Sequence, residues 1–215
     1  MCGTTFLSRR QAFSCDNIYG FEVVLASGEV VYASETSHSD LWLALKGGSN
    51  YLGIVTRFDV ATFPTTSCGT TFAFQLTYFS ENPDAGVYMQ LFKIWENGTG
   101  AFDNPRPVAR GNNLFGLTPG KTDYVIVDTT AAYGNESDDT LVETEMYNIV
   151  DKQKAVLKSS GYLIDFVYFN YADISQGVYS SWGADNVAQL QAASRKYDPN
   201  GVFQHMVPGG YKVFK

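Results

Sequence analysis

Asp40-Leu41-Trp42-Leu43-Ala44-Leu45-Lys46-Gly47-Gly48-Ser49-Asn50-Tyr51-Leu52-Gly53-Ile54-Val55-Thr56-Arg57-Phe58 is the stretch on which the fold turns. Residues 40–46 have helical spacing, with Leu41, Ala44 and Leu45 along one side. Asp40 near the start and Lys46 at the end each suit the helix macrodipole, and Gly47-Gly48 ends the run. Ser37 and Ser39 are N-cap candidates, since a hydroxyl can accept from the free N–H groups of a first turn. From Ile54 the period changes to two. Ile54, Thr56, Phe58, Val60 and Thr62 alternate with Val55, Arg57, Asp59, Ala61 and Phe63, which predicts a half-buried strand closed by Pro64. The glycine-bearing turn between helix and strand is neither GxGxxG nor a Walker loop, and it runs in the reverse order to a Rossmann phosphate turn. Tyr51 stands where a nucleophile elbow needs glycine.

Upstream, residues 21–25 and 30–33 are β-rich runs around Ala26-Ser27-Gly28-Glu29, a hairpin signal. Downstream, the Thr/Ser/Gly-rich residues 65–71 are the best domain joint. A second series follows: a strand at 70–79, a helix at 84–97 with Val87, Leu91, Ile94 and Trp95 on one side, and a strand at 124–133. A longer helix at 141–157 should bury Met146, Ile149, Val150 and Val156. Residues 162–171 are aromatic-rich and extended. A helix at 185–196 stops at Tyr197-Asp198-Pro199-Asn200, because proline disfavours helix at and before itself. Strands and helices joined by long polar connections make an α+β chain.

Fifteen Lys and Arg against 22 Asp and Glu leave a formal net charge of -7, with no basic stripe. Such a surface is repelled by nucleic acid, which is excluded as a partner. No apolar run is long enough for a membrane helix. Cys2, Cys15 and Cys68 are an odd set without a CxxC pair, which excludes a disulfide framework or a zinc ribbon. His38 and His205 are the only imidazoles, too few for an ordinary zinc site, so no metal is expected. Asn97-Gly98-Thr99 and Asn135-Glu136-Ser137 are sequons that would be glycosylated only in a secreted chain.

Ser14-Cys15-Asp16-Asn17-Ile18, Val23-Val24-Leu25-Ala26-Ser27-Gly28 and the run from Asp40 to Phe58 resemble the vanillyl-alcohol-oxidase-type (PCMH-type) FAD-binding domain. Phe169-Asn170-Tyr171-Ala172-Asp173 and Lys196-Tyr197-Asp198-Pro199-Asn200-Gly201-Val202-Phe203 are similar to the berberine-bridge-enzyme-like branch, especially its fungal members. The resemblance implies a partial FAD-binding domain plus an antiparallel-sheet substrate domain with helices on one face. Residues 1–66 would be the later part of the FAD domain, 67–183 the substrate domain, and 184–215 a segment returning to the FAD domain. It further implies FAD as cofactor and a small organic alcohol, sugar or amine as substrate, with hydride passing to the flavin and then to oxygen. The subdomain that in this family precedes a Gly-Thr-Thr-Phe-like start has no counterpart here. The expectation is therefore a chain truncated at its N-terminus, binding flavin weakly or not at all. The alternative is an inactive remnant serving as a binding module.

By the same resemblance, Tyr171 would lie over the flavin as general base. A phenol, with a reference pKa of about 10, needs a charged or hydrogen-bonded neighbour for that task. A core tyrosine with a satisfied hydroxyl is the other reading. Asn170 would orient Tyr171 or the flavin, or else end a strand. Gly48, Gly53, Ile54 and Val55 match the stretch whose backbone meets the cofactor, glycine permitting close approach; a helix C-cap and the start of a strand compete. Asn17 matches a flavin-facing turn or makes an Asx turn. Asn200 would place an amide near the ring, or belong to a plain Asp-Pro-Asn-Gly turn. Arg57 reads as a solvated face.

Overall fold

The computed structural model describes residues 3, 12–62, 71–74, 86–91, 93–96, 113–117 and 126–214, with backbone alone for the three short strands between 71 and 96. The expected joint at 65–71 and the sequon at Asn97 lie largely or wholly outside them. The chain divides into two compact units. One combines residues 1–70, 97–123 and 166–215; the other combines 71–96 and 124–165.

In the first unit, β1 (Ile18–Val24) pairs antiparallel with β2 (Val30–Ser34) as the expected hairpin, and with β3 (Ile54–Val60) on its other side. The sheet order is β2-β1-β3, so β1 is central. Phe21, Val23, Val31 and Ala33 are buried under α1 (Ser39–Gly47), which lays Leu41, Trp42, Ala44 and Leu45 against them. The Trp42 indole N–H donates to the Ile18 carbonyl at 3.1 Å and fixes the helix over the first strand. The N-cap is His38 in a left-handed conformation (φ 46°), without a side-chain cap bond, rather than Ser37 or Ser39.

β3 departs from the half-buried strand that alternation predicted. Ile54, Phe58 and Val60 are each more than half exposed, and only Val55 and Asp59 are half-buried apart from solvent. The reason is position: β3 is a sheet edge, and α1 packs on β1 and β2. The outward side of this sheet is a polar web. The Tyr32 hydroxyl donates to Asp59 at 2.6 Å, and Arg57 reaches both Glu22 and Asp59. Arg57 thus lies on a solvated face.

α3 (Ala184–Tyr197) packs against α1 and ends where proline was expected to stop it. Asp198 then accepts backbone N–H groups of Val202 (2.8 Å) and Phe203 (2.7 Å), capping the short helix α4 (Val202–His205). Cys15 is fully buried and disulfide-bonded, so one crosslink exists although an odd cysteine count argued against a framework.

The second unit contains β4 (Thr71–Phe74) paired with β6 (Lys93–Glu96), and β5 (Gly86–Leu91) paired with β7 (Val127–Ala132), both antiparallel. The helix expected at 84–97 is therefore replaced by two strands. Val87, Tyr88, Ile94 and Trp95 are β-favouring residues, and ladders to distant strands outweigh their helical spacing. The long helix α2 (Asp139–Ser159) is present, and its predicted face is covered only in part: Met146, Ile149 and Val150 are half-buried, Val142 is the one buried residue, and Val156 is 64% exposed. α2 packs against β7. Among the described residues no helix is long and apolar enough to cross a membrane.

Asp40 links α1 to α3: it accepts from Lys196 Nζ and from the Tyr197 hydroxyl, each at 2.6 Å. Burial alone would raise its carboxyl, but these bonds outweigh it and hold Asp40 below its ordinary value of 3.8. A depressed carboxylate stabilises the fold above its unfolded pKa, and that contribution disappears as pH falls through the folded one. Acid unfolding below about pH 4 should therefore be shallower in Asp40→Asn than in the parent, as read from melting temperature against pH.

Candidate functional site

Three of the expected site residues, Asn17, Asn170 and Tyr171, come together around a buried aromatic cluster of the first unit. Phe13 precedes a 3-10 turn (Ser14–Asn17) in which its N–H donates to Asp16 at 3.0 Å and Asn17 Nδ2 donates to its carbonyl at 3.1 Å. Asp16 is buried and also accepts from Asn113 Nδ2 at 2.8 Å. Burial raises the Asp16 carboxyl, partly offset by the Asn113 and Phe13 bonds and by the Lys46 charge. Lys46 is itself fully buried, its ammonium 3.6 Å from the Trp42 ring centroid. A buried cation beside an aromatic face and within the field of a carboxylate is the arrangement that low dielectric tolerates.

Phe13 meets Phe115 edge-on (5.1 Å between centroids) and stacks on Tyr168 (6.2 Å). Phe115 in turn packs on Trp182 at 4.8 Å, and Trp182 on Tyr179 at 5.1 Å. The Trp182 indole donates to the Val167 carbonyl, which pins residues 166–171 to this core. There the chain forms a 3-10 turn, Phe169–Tyr171, after an irregular approach. Asn170 Nδ2 donates to the Tyr168 hydroxyl at 2.8 Å, and the Tyr171 ring stands edge-on to Tyr168 at 5.0 Å. Tyr171 is 56% exposed, so it is not the core tyrosine of the competing reading. Asn17, Asn170 and Tyr171 thus belong to one chain of contacts running through Phe13 and Tyr168.

The glycine stretch is occupied by its own neighbours. A Cβ at Gly48 would come within 2.6 Å of Leu52 and 2.8 Å of the Ala44 carbonyl. One at Gly53, where φ is 148°, would come within 2.6 Å of Val23 and 2.9 Å of the Val24 carbonyl. Chain packing by itself accounts for both glycines. Ile54 is exposed and Val55 half-buried at the start of β3. Asn200 sits exposed in the turn before α4, outside the Tyr168 contacts.

Composition gave no hint of the tail that fastens these parts. Asn50 Nδ2 donates to the carbonyls of Pro208 (3.3 Å) and Gly209 (3.4 Å). Lys212, buried, donates to Asn50 Oδ1 at 2.7 Å and to the Phe203 carbonyl at 3.0 Å. The Tyr211 hydroxyl donates to the carbonyls of Ala172, at 2.9 Å, and Asp173, and its ring meets Phe169 at 5.2 Å. Beneath the same loop Tyr51 is fully buried against Tyr179, and burial pushes both hydroxyls well above their ordinary range. Both therefore stay protonated near neutral pH, Tyr51 buried and Tyr179 half-buried where Tyr171 is exposed.

Residues 167–207 match the family described as "Berberine and berberine like". The chain is similar to the FAD-dependent monooxygenase drtC of Aspergillus calidoustus, 26% identical over 99% of this chain and 62% of that protein. Over 61 residues it is 49% identical to the FAD-dependent monooxygenase elcE of Phaeosphaeria nodorum, covering 28% of this chain and 18% of the relative. The fold resembles BBE-like 1 of Physcomitrella patens, with a TM-score of 0.61 at 16% identity, over 94% of this chain and 67% of the other. The relationship is to the berberine-bridge-enzyme-like, FAD-linked family.

The chain spans about three fifths of the Aspergillus relative's length. The match with that relative runs over 327 positions, whereas this chain has 215 residues. More than a hundred positions inside the matched span are therefore absent from this chain.

FAD is the cofactor of this family, and the two halves of the expected site suit it differently. At Asn170 and Tyr171, an open aromatic edge beside an amide is a donor set for a planar heterocycle rather than for a phosphate. At the 47–53 loop the spaces left by Gly48 and Gly53 are filled by Leu52, Val23 and backbone, so these glycines serve the loop's own closure. The tail gives a direct test. Lys212→Met should free residues 208–214, seen as faster amide exchange there, and cost about 1–3 kcal/mol by leaving buried acceptors unpaired; urea unfolding checks the magnitude.

Proposed function

We propose that this chain is an FAD-linked oxidoreductase acting on a small organic alcohol, sugar or amine, with Tyr171 as the group that accepts the substrate proton. The observation that carries this reading is Tyr171's exposed phenol, set on a buried aromatic core beside the Asn170 amide. FAD, when bound, supplies the two-electron acceptor that no side chain provides. Asn170 and Asn17 would hold the polar edge of the ring system; Ile54 and Val55 would offer backbone at the start of β3, and Asn200 a further amide. Tyr168 keeps the Asn170 amide turned by accepting from it, and Phe13 keeps Tyr168 in place. The Tyr211 bonds to Ala172 and Asp173 hold the turn that presents Tyr171. Preorganisation of this sort fixes where the phenol stands, and the charged or hydrogen-bonding neighbour it needs to accept a proton would come with the bound flavin or substrate.

The competing reading is a binding module without turnover. It is favoured by the hundred-odd positions missing within the span matched to the Aspergillus relative. The residue divisions proposed with the leading reading are 1–66 for the FAD side, 67–183 for the substrate side and 184–215 for the returning segment. Titration of the purified chain with FAD, followed by anaerobic mixing with alcohols, sugars and amines, separates the two. The proposal expects weak uptake of FAD whose bound fraction bleaches with substrate, and a Tyr171→Phe variant that takes up FAD equally and bleaches about 10²–10⁴-fold more slowly. Flavin uptake without bleaching by any substrate class, or bleaching untouched by Tyr171→Phe, would overturn it.

A further inference from the structure

We infer that Asn135 is an N-glycosylation site and that the chain matures in an oxidising, secretory compartment. Three independent observations converge on it. Asn135-Glu136-Ser137 has the acceptor spacing, and all three residues are exposed in the connection between β7 and α2. Asn135 has extended backbone (φ -122°, ψ 131°) just before the 3-10 turn Glu136–Asp138, and its side chain makes no cap bond to that turn. Its amide therefore faces solvent on a kinked segment rather than being committed to the helix start. Cys15, far away in sequence and in the other unit, is disulfide-bonded, a state that persists in secretory and extracellular spaces and is rare in the cytosol.

Tyr133 strengthens the assignment. It lies two residues before the acceptor, is 41% exposed, and is hydrogen-bonded to Asp139. Gly134 between them has open space on its Cβ side. An aromatic face held in that position can stack against the C–H face of the first sugar, as apolar sugar faces do on electron-rich rings. The glycan would also shield Leu141, an exposed apolar residue in the first turns of α2. In the transfer itself the Asn135 amide nitrogen attacks the anomeric carbon of a lipid-diphosphate-linked oligosaccharide. A C–N bond forms, the C–O bond to the diphosphate breaks, the lipid diphosphate leaves, and the amide nitrogen loses one proton. No oxidant is consumed.

The experiment is peptide mapping of the protein isolated from the cells that make it, with and without an amidase that releases N-glycans and converts the acceptor to aspartate. The expected result is a glycopeptide containing Asn135, converted on release, with the Cys15 peptide recovered only after reduction. Ser137→Ala should abolish the modification, Ser137→Thr should keep it, and Tyr133→Ala should lower its occupancy while the α2 helical signal stays unchanged. Unmodified Asn135 in folded protein, a glycan confined to Asn97, or a Cys15 thiol that alkylates without reduction would each overturn the inference.

Discussion

The first unit depends on its C-terminal segment being fastened to its N-terminal helix and loop. Asp40 accepts from Lys196 and Tyr197 at one end of α1, and Asn50 exchanges hydrogen bonds with Pro208, Gly209 and Lys212 beyond the other. These contacts close loops of more than 150 residues. Closing such loops costs only a logarithmic penalty in entropy, so two polar clamps and the packing between them can hold it. What lies between is Trp182, Phe115 and Phe13, rings drawn from three distant stretches of chain. Remove the clamps and the turn carrying Asn170 and Tyr171 loses the floor on which it stands.

Much of this was legible from local pattern. The hairpin, α1 and α3 follow from runs whose periodicity and stop signals agree, and in each local preference and tertiary packing point the same way; β3 follows as a strand, but its predicted half-burial does not. The misread elements are those where the two conflict. Residues 84–97 carry helical spacing, yet pair as β5 and β6 because the partners β7 and β4 lie far along the chain. Val156 sits on the expected apolar face of α2 and is nevertheless 64% exposed, while Met146, Ile149 and Val150 on the same face are half-buried. Spacing reports which residues share a face; it does not report whether another element arrives to cover it.

The site was legible in a narrower sense. Asn17, Asn170 and Tyr171 were singled out by resemblance, and a single line of contacts joins them. Their supports were not visible: Asn113 reaches Asp16 across 97 residues, and Lys212 reaches Asn50 across 162. Neither Asn113 nor Lys212 carries a local signature, because a hydrogen bond made across such a separation leaves no periodicity. Lys46 read as a dipole-complementing helix end, whereas it is fully buried over Trp42.

The glycine loop makes the strongest argument about how function is built here. If Gly48 and Gly53 existed to admit a cofactor, the volume a Cβ would fill should be open. It is instead filled by Leu52, Val23 and two backbone carbonyls. The glycines let α1 turn sharply into β3, and that turn aligns Asn50 with the tail and Tyr51 with Tyr179. In the proposed reading, contact with a cofactor would come from the backbone at Ile54 and Val55 and from the Asn170-Tyr171 pair, while the glycines set the path of the chain. A substitution to alanine at position 53 would then injure the fold before it touched any ligand, because its φ of 148° and its contact with Val24 both demand glycine.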